Sequence, residues 1–198
     1  MIKSRTELLK LKEEKEFLEE GKRIFEEKRN ILLKEVMKIV DEIEEKRKRL
    51  NVKVLEGYRN LSKAIMETGE ERLLKEKSKG GKINLNVKKI VFAGVVLPKV
   101  TYEFKKEVSI DREDVIFVKV AEKIFREVVE LILEIAELEM KGWRMAEEIK
   151  KTTIRINAIE NFYLPDYKLK IKRIEEDLEE EERNSIALLK SWRLARKK

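Results

Sequence analysis

One apolar stripe constrains this chain more than any other feature. From Ile124 to Tyr163, steps alternating between four and three residues visit Ile124, Val128, Leu131, Ile135, Leu138, Gly142, Met145, Ile149, Thr152, Ile156, Ile159 and Tyr163. Only Gly142 and Thr152 break the apolar run, and the residues between these positions are mostly Glu, Lys and Arg. A helix with one sticky seam and an otherwise solvated circumference cannot bury that seam alone. The pattern therefore predicts a coiled-coil strand that needs a partner.

The same chain offers one. Ser4 and Glu7 have the spacing of a capping box, in which hydroxyl and carboxylate satisfy amide donors left open at a helix start. Behind them Leu11, Leu18, Phe25, Leu32 and Ile39 recur every seven residues, joined by Val36, Ile43 and Leu50. This predicts a helix from Ser4 to about Leu61, roughly 85 to 90 Å long at 1.5 Å per residue. Gly21 interrupts it at a cost of about 1 kcal/mol relative to Ala, either as a tolerated flaw or as a point of close approach for another chain. The second helix is expected to be capped by Asp111 and Asp114. Its apolar pattern resumes after Pro165 through Leu164, Tyr167, Ile171, Ile174, Leu178, Leu188 and Trp192, which predicts a kinked, continuous helix. Antiparallel pairing of the two helices would set residues near Leu11 beside residues near Leu188.

Between the helices the period changes. Thr68 with Glu71 predicts a short helix through Leu73 and Leu74, ending before Gly80 and Gly81. Then Ile83, Leu85 and Val87, and later Val100, Tyr102 and Phe104, alternate with polar residues as half-buried strands do. Gly94 permits a bend between them and Pro98 is expected to limit further pairing. The expected fold is mainly α, a long antiparallel two-helix coiled coil with a short helix and a small β-hairpin in the middle of the chain. Residues 1–66, 67–110 and 111–198 form its three parts within one elongated unit.

Composition narrows the chemistry. With 44% charged residues and two prolines in 198, elongated helices are favoured over a globular core. There is no Cys and no His, which removes disulfides, thiolate metal sites and the commonest catalytic base. Gly80-Gly81-Lys82 lacks the spacing and hydroxyl of a phosphate loop, and the carboxylates of Glu179 to Glu182 diverge around a helix too far to hold a cation. No catalytic, cofactor or metal residues are expected. The apolar run Ile90 to Leu97 is far short of the roughly 20 residues of a membrane span, and the N-terminus lacks a signal-peptide core, so the chain reads as soluble and intracellular. Its net charge of +7 is concentrated centrally. Lys and Arg exceed Asp and Glu by two over residues 1–57 and by six over 58–110, and trail by one over 111–198. Mixed signs along the helices do not predict nucleic-acid binding. Absence of Gln and Cys beside abundant Lys and Glu is the composition of heat-resistant proteins.

Two stretches resemble a known family. Ser4-Arg5-Thr6-Glu7-Leu8-Leu9-Lys10-Leu11-Lys12, followed by Gly21 and Lys28-Arg29, is similar to the amino-terminal signature of the D subunit of the archaeal and vacuolar-type rotary ATPases. Lys151 through Glu160, with Asn157-Ala158 at its heart and Pro165 beyond it, is similar to that family's carboxy-terminal segment. Lys3 and Ser4 stand where the family usually has Pro and Thr, Lys22 replaces a common His, Asn30 a common Asp, and Thr153-Ile154 interrupts the usual Arg run. The resemblance implies a non-catalytic, cofactor-free central rotor shaft on the cytoplasmic face of a membrane, associated with it only through the complex. Its implied partners are the catalytic A and non-catalytic B subunits of the ring, the small F subunit of the stalk, and a socket subunit above the membrane ring. Rotation would couple ATP hydrolysis or synthesis to proton or sodium transport. Residues matching the two signatures, Arg5, Lys10, Lys12, Gly21, Lys28, Arg29, Arg155, Asn157 and Glu160, become candidates for partner contact. The seam candidates are Leu11, Leu18, Phe25, Leu32, Ile39, Val128, Leu131, Ile135, Leu138, Ile149, Ile156 and Ile159. A cytosolic scaffold or prefoldin-like chaperone, which also joins a helical hairpin to strands, is the alternative that heptads alone leave open.

Overall fold

The computed structural model describes residues 4–71, 82–105 and 116–195. It is mainly α, with two long helical stretches flanking a two-stranded antiparallel hairpin. Helix α1 spans Arg5–Thr68, strands β1 and β2 span Lys82–Phe92 and Val95–Lys105, and helix α2 spans Ile116–Ala158. A π-helical turn, Ile159–Tyr163, leads directly into α3, Leu164–Ala195. The chain divides into two compact units, residues 31–148 and the paired segments 1–30 with 149–198.

Local chemistry sets the ends of α1. The amide of Glu7 donates to the Ser4 hydroxyl oxygen at 3.2 Å, the first half of the expected capping box. The helix runs past Leu61 to Thr68, where Gly69 takes φ 79° and donates its amide to the Ile65 carbonyl at 2.9 Å. Glycine adopts that left-handed conformation without a Cβ clash, so it ends the helix. Thr68 thus closes α1, and the chain is helical again at Glu70 and Glu71, where the short helix was expected. Leu73, Leu74, Asp111 and Asp114, on which the rest of the short helix and the second cap were expected, lie outside the described residues.

In the central unit α1 and α2 run antiparallel with a register readable from their ion pairs. Lys46 meets Glu134 at 2.6 Å and Lys53 meets Glu127 at 2.8 Å, so a step of seven forward on α1 matches seven backward on α2. Leu32, Ile39, Ala64, Ala121, Ile124, Val128, Ile135 and Met145 are buried along this pairing, while Leu131 and Leu138 are half-buried. Gly57 is buried opposite Ile124 and Phe125, and a Cβ there would come within 3.2 Å of the Phe125 ring. Small residues at 57, 64 and 121 let the helices approach closely at this end.

The hairpin turns at Ala93 and Gly94, both with positive φ, which matches the right-handed twist of the two strands. Its register pairs Phe92 with Val95 at the turn and Lys82 with Lys105 at the open end. Pro98 does not limit pairing as expected. It sits within β2 opposite Lys89, and alternation from the turn makes this a pair that exchanges no ladder hydrogen bonds, where a missing amide costs nothing. Two places along, the Val100 amide points away from β1 and donates to the Glu137 carboxylate at 2.6 Å. That bond fastens the outer edge of β2 to α2. Arg126 over the Phe104 ring, 5.8 Å from its centre, adds a second attachment.

Pro165 neither breaks the helix nor leaves it regular. The amide of Leu164 bonds the carbonyl of Ile159, five residues back, and the helix continues as α3. Proline removes one amide and its ring clashes with the carbonyl four residues earlier. A wider π turn lies just before it. The extra residue shifts the seam: Leu164 is buried at 8% exposure, whereas Tyr163, expected to face inward, is 46% exposed.

Candidate partner-binding face

All nine residues singled out for partner contact fall in the unit formed by residues 1–30 and 149–198. Sequence separation had hidden this proximity, and antiparallel pairing creates it. Arg5 is ion-paired with Glu182, and Lys12 with Glu175 at 2.6 Å, again one heptad apart on both helices. Lys22 meets Glu160 at 3.1 Å, and that hydrogen bond holds the lysine's pKa above its ordinary value, against a smaller opposing effect of desolvation. Arg155 lies over the Phe25 ring, 5.8 Å from its centre. Arg155, Asn157 and Glu160 are exposed, while their neighbours Ile156 and Ile159 are buried.

The remaining candidates differ in character. Lys10 is exposed, and Lys28 is half-buried with an interaction inside the protein. Gly21 faces open space: a Cβ there would meet no heavy atom within 4 Å. Arg29 carries a buried Nε without a hydrogen-bond partner among the described residues, and so does the hydroxyl oxygen of the fully buried Thr152. Buried polar atoms without partners are uncommon. Leu11, Leu18 and Phe25 are only half-buried, and so is Ile149. The Tyr167 hydroxyl is shifted above its ordinary pKa, first by a hydrogen bond to Glu14 and then by desolvation.

The register expected at this end is corrected. Leu11 shares a groove of about 500 Å³ with Lys170, Arg173 and Ile174, and Leu188 is 62% exposed instead of lying beside Leu11. Ile186, Leu189 and Trp192 are exposed with it. Sequence reading also missed Phe162, 71% exposed and set edge-on to Tyr163 at 5.5 Å. Following the apolar stripe by a five-residue step at Ile159 would have revealed that outward pair. Among the described residues no group of three or more Asp or Glu is placed to hold a metal ion, and no helix is long and apolar enough to cross a membrane.

Two long helical stretches flanking a β-hairpin that is docked on α2, with the polar signatures gathered on one paired segment, define a helical-hairpin protein by class. The particular family follows from comparison. Residues 7–193 match the family model of the ATP synthase D subunit, and the chain belongs to that family. It is 36% identical over 194 residues to the D subunit of the A-type ATP synthase of Pyrococcus abyssi, covering 94% of this chain and 90% of that protein. The D subunit of the V-type ATP synthase of Thermotoga neapolitana is 32% identical over 192 residues, covering 94% of both chains. The A-type D subunit of Methanopyrus kandleri is 32% identical over 199 residues, covering 94% of this chain and 83% of that protein. The Lys- and Glu-rich, Gln-free composition fits these relatives.

Proposed function

We propose that this chain is the non-catalytic central-stalk rotor of an A-type or V-type ATP synthase. It turns inside a ring of catalytic and non-catalytic subunits, carries the small stalk subunit, and seats on a socket above the membrane ring. Rotation there couples ATP hydrolysis or synthesis to proton or sodium transport, and the chain reaches the membrane only through these partners. The observation that carries the reading is the family match from residue 7 to 193, which takes in both long helical stretches and the hairpin. The physical design agrees with the task. A part that transmits torque must resist twisting, and helices joined by a buried seam with ion pairs crossing it resist better than a single helix. A prefoldin-like chaperone has no comparable support.

Within this reading, the exposed trio Arg155, Asn157 and Glu160 forms part of the coupling surface. The test is ATP-driven ion pumping relative to ATP hydrolysis in a reconstituted complex carrying Asn157→Ala or Arg155→Ala. A lowered ratio with normal assembly is expected, and an unchanged ratio in both variants rejects the surface. Purification of the native complex tests the wider assignment: recovery without catalytic ATPase subunits overturns it.

A further inference from the structure

The π turn at Ile159–Tyr163 has two candidate causes, and they make different demands. One is Pro165, which cannot donate to the helix ladder. The other is the seam beyond it. With the turn in place, Ile156, Ile159, Leu164, Ile171 and Ile174 are buried, each at 9% exposure or less. Without it, an α-helix continued from Ile159 would bring each inward position one residue earlier. Tyr163, Lys170 and Asp177 would then turn toward α1 in place of Leu164, Ile171 and Leu178. Burying a lysine and an aspartate along an apolar seam is opposed far more strongly than one irregular turn.

We propose that the π turn is a one-residue register insert imposed by the downstream seam, and that it persists without Pro165. The insert sets the angular phase of α3 about its own axis. It also turns Phe162 and Tyr163 outward, since a surplus residue on a paired helix has nowhere to go but away from its partner. The alternative phase buries charge, so the joint is locked in one setting and does not alternate between two.

The inference concerns folding alone and stands whether or not the rotor assignment does. Its test is a deletion and an insertion in the Pro165→Ala background, read by thermal melting and circular dichroism. Deleting Phe162 removes the surplus residue and restores four-residue spacing from Ile159 to Leu164, so the melting temperature should stay within about 3 °C of the background or rise. Inserting one Ala after Lys168 instead adds a second surplus residue, throws Ile171 and Ile174 out of phase and should lower it by about 10 °C or more. Equal losses from the deletion and the insertion would overturn the proposal. A structure of Pro165→Ala gives the second reading: a bond from the Leu164 amide to the Ile159 carbonyl supports it, and a regular α-helix with Tyr163 inward overturns it.

Discussion

The two compact units solve the same problem with different materials. In the central unit the pairing is tight: Gly57, Ala64 and Ala121 allow close approach, and β2 is fastened to α2 through Glu137. The unit containing the chain ends pairs larger residues more loosely. There α2 and α3 bury Ile156, Ile159, Leu164, Ile171 and Ile174, yet Leu11, Leu18 and Phe25 of α1 stay half-exposed. Apolar surface left half-covered on one helix of a pair is surface available to something else. The difference teaches that one continuous heptad pattern can leave its positions closed in one unit and open in another, since Leu32 and Ile39 are buried where Leu11, Leu18 and Phe25 are not.

The comparison can be broken most forcefully at Ile156, which is 2% exposed. Replacing it with Asp buries an unpaired carboxylate and should destabilise the terminal unit by about 3 to 5 kcal/mol. Denaturant unfolding followed by hydrogen exchange in each unit would show whether the central unit survives. Gly57→Leu attacks the opposite unit. With the Phe125 ring already in the way of a Cβ, overpacking should cost about 1 to 3 kcal/mol, and a neutral result would mean the close approach is not required.

Glu137→Ala removes the acceptor of the Val100 amide. A loss of about 1 kcal/mol is expected, with faster amide exchange at Val100 as its local signature. Gly21→Ala should act in the other direction, raising stability by up to about 1 kcal/mol through helix propensity, because its site is open. If that variant also assembles poorly into the ATP synthase complex, Gly21 is a point of close approach to a partner.

The smallest effect is electrostatic. Glu127 has its pKa lowered by a hydrogen bond from Lys53, so this contribution is full above the ordinary carboxylate range and fades as pH falls through the depressed value. Lys46, Lys53 and Lys22 have pKa values raised by their carboxylate partners, so theirs is full below the ordinary lysine value, about 10.4, and is lost at higher pH. Between these limits the melting temperature should be nearly flat with pH. Glu127→Gln should flatten the acid limb slightly, and an unchanged limb would show that this exposed pair contributes nothing.

Much of this was written locally in the chain, and what was missed shares one cause. The Ser4 cap and the two strands are settled by residues within a few positions of one another. Leu85 and Val87, expected to be half-buried, are 55% and 60% exposed, because burial depends on the distant helix that covers β2 and not on alternation alone. The pairing register is not settled locally, because a heptad seam slipped by whole heptads presents the same pattern. Leu188 lies two heptads beyond Ile174, the residue that shares a groove with Leu11. Slippage was blocked by charges such as Arg5 with Glu182 and Lys12 with Glu175, which a one-helix reading cannot pair. The π turn escaped notice because Tyr163 and Leu164 are adjacent apolar residues, and either can continue the stripe. Of the candidate site, the outward direction of Arg155, Asn157 and Glu160 was legible from periodicity, but the Arg155 contact with Phe25 was not.

The two-residue turn at Ala93 and Gly94 also bears on the order in which the molecule can fold. Closing it brings together strands whose cross-strand bond from Thr101 to the Asn86 carbonyl spans only 15 residues, a step of about 1 to 10 μs. The pair Lys46–Glu134 spans 88 residues and Arg5–Glu182 spans 177. Each would be slow to find from a random chain. Once one pair within a unit has formed, however, each successive heptad of that unit closes only a short additional loop. Within each unit pairing can then zip from heptad to heptad, so folding depends on local closures such as this turn more than the length of the chain would suggest.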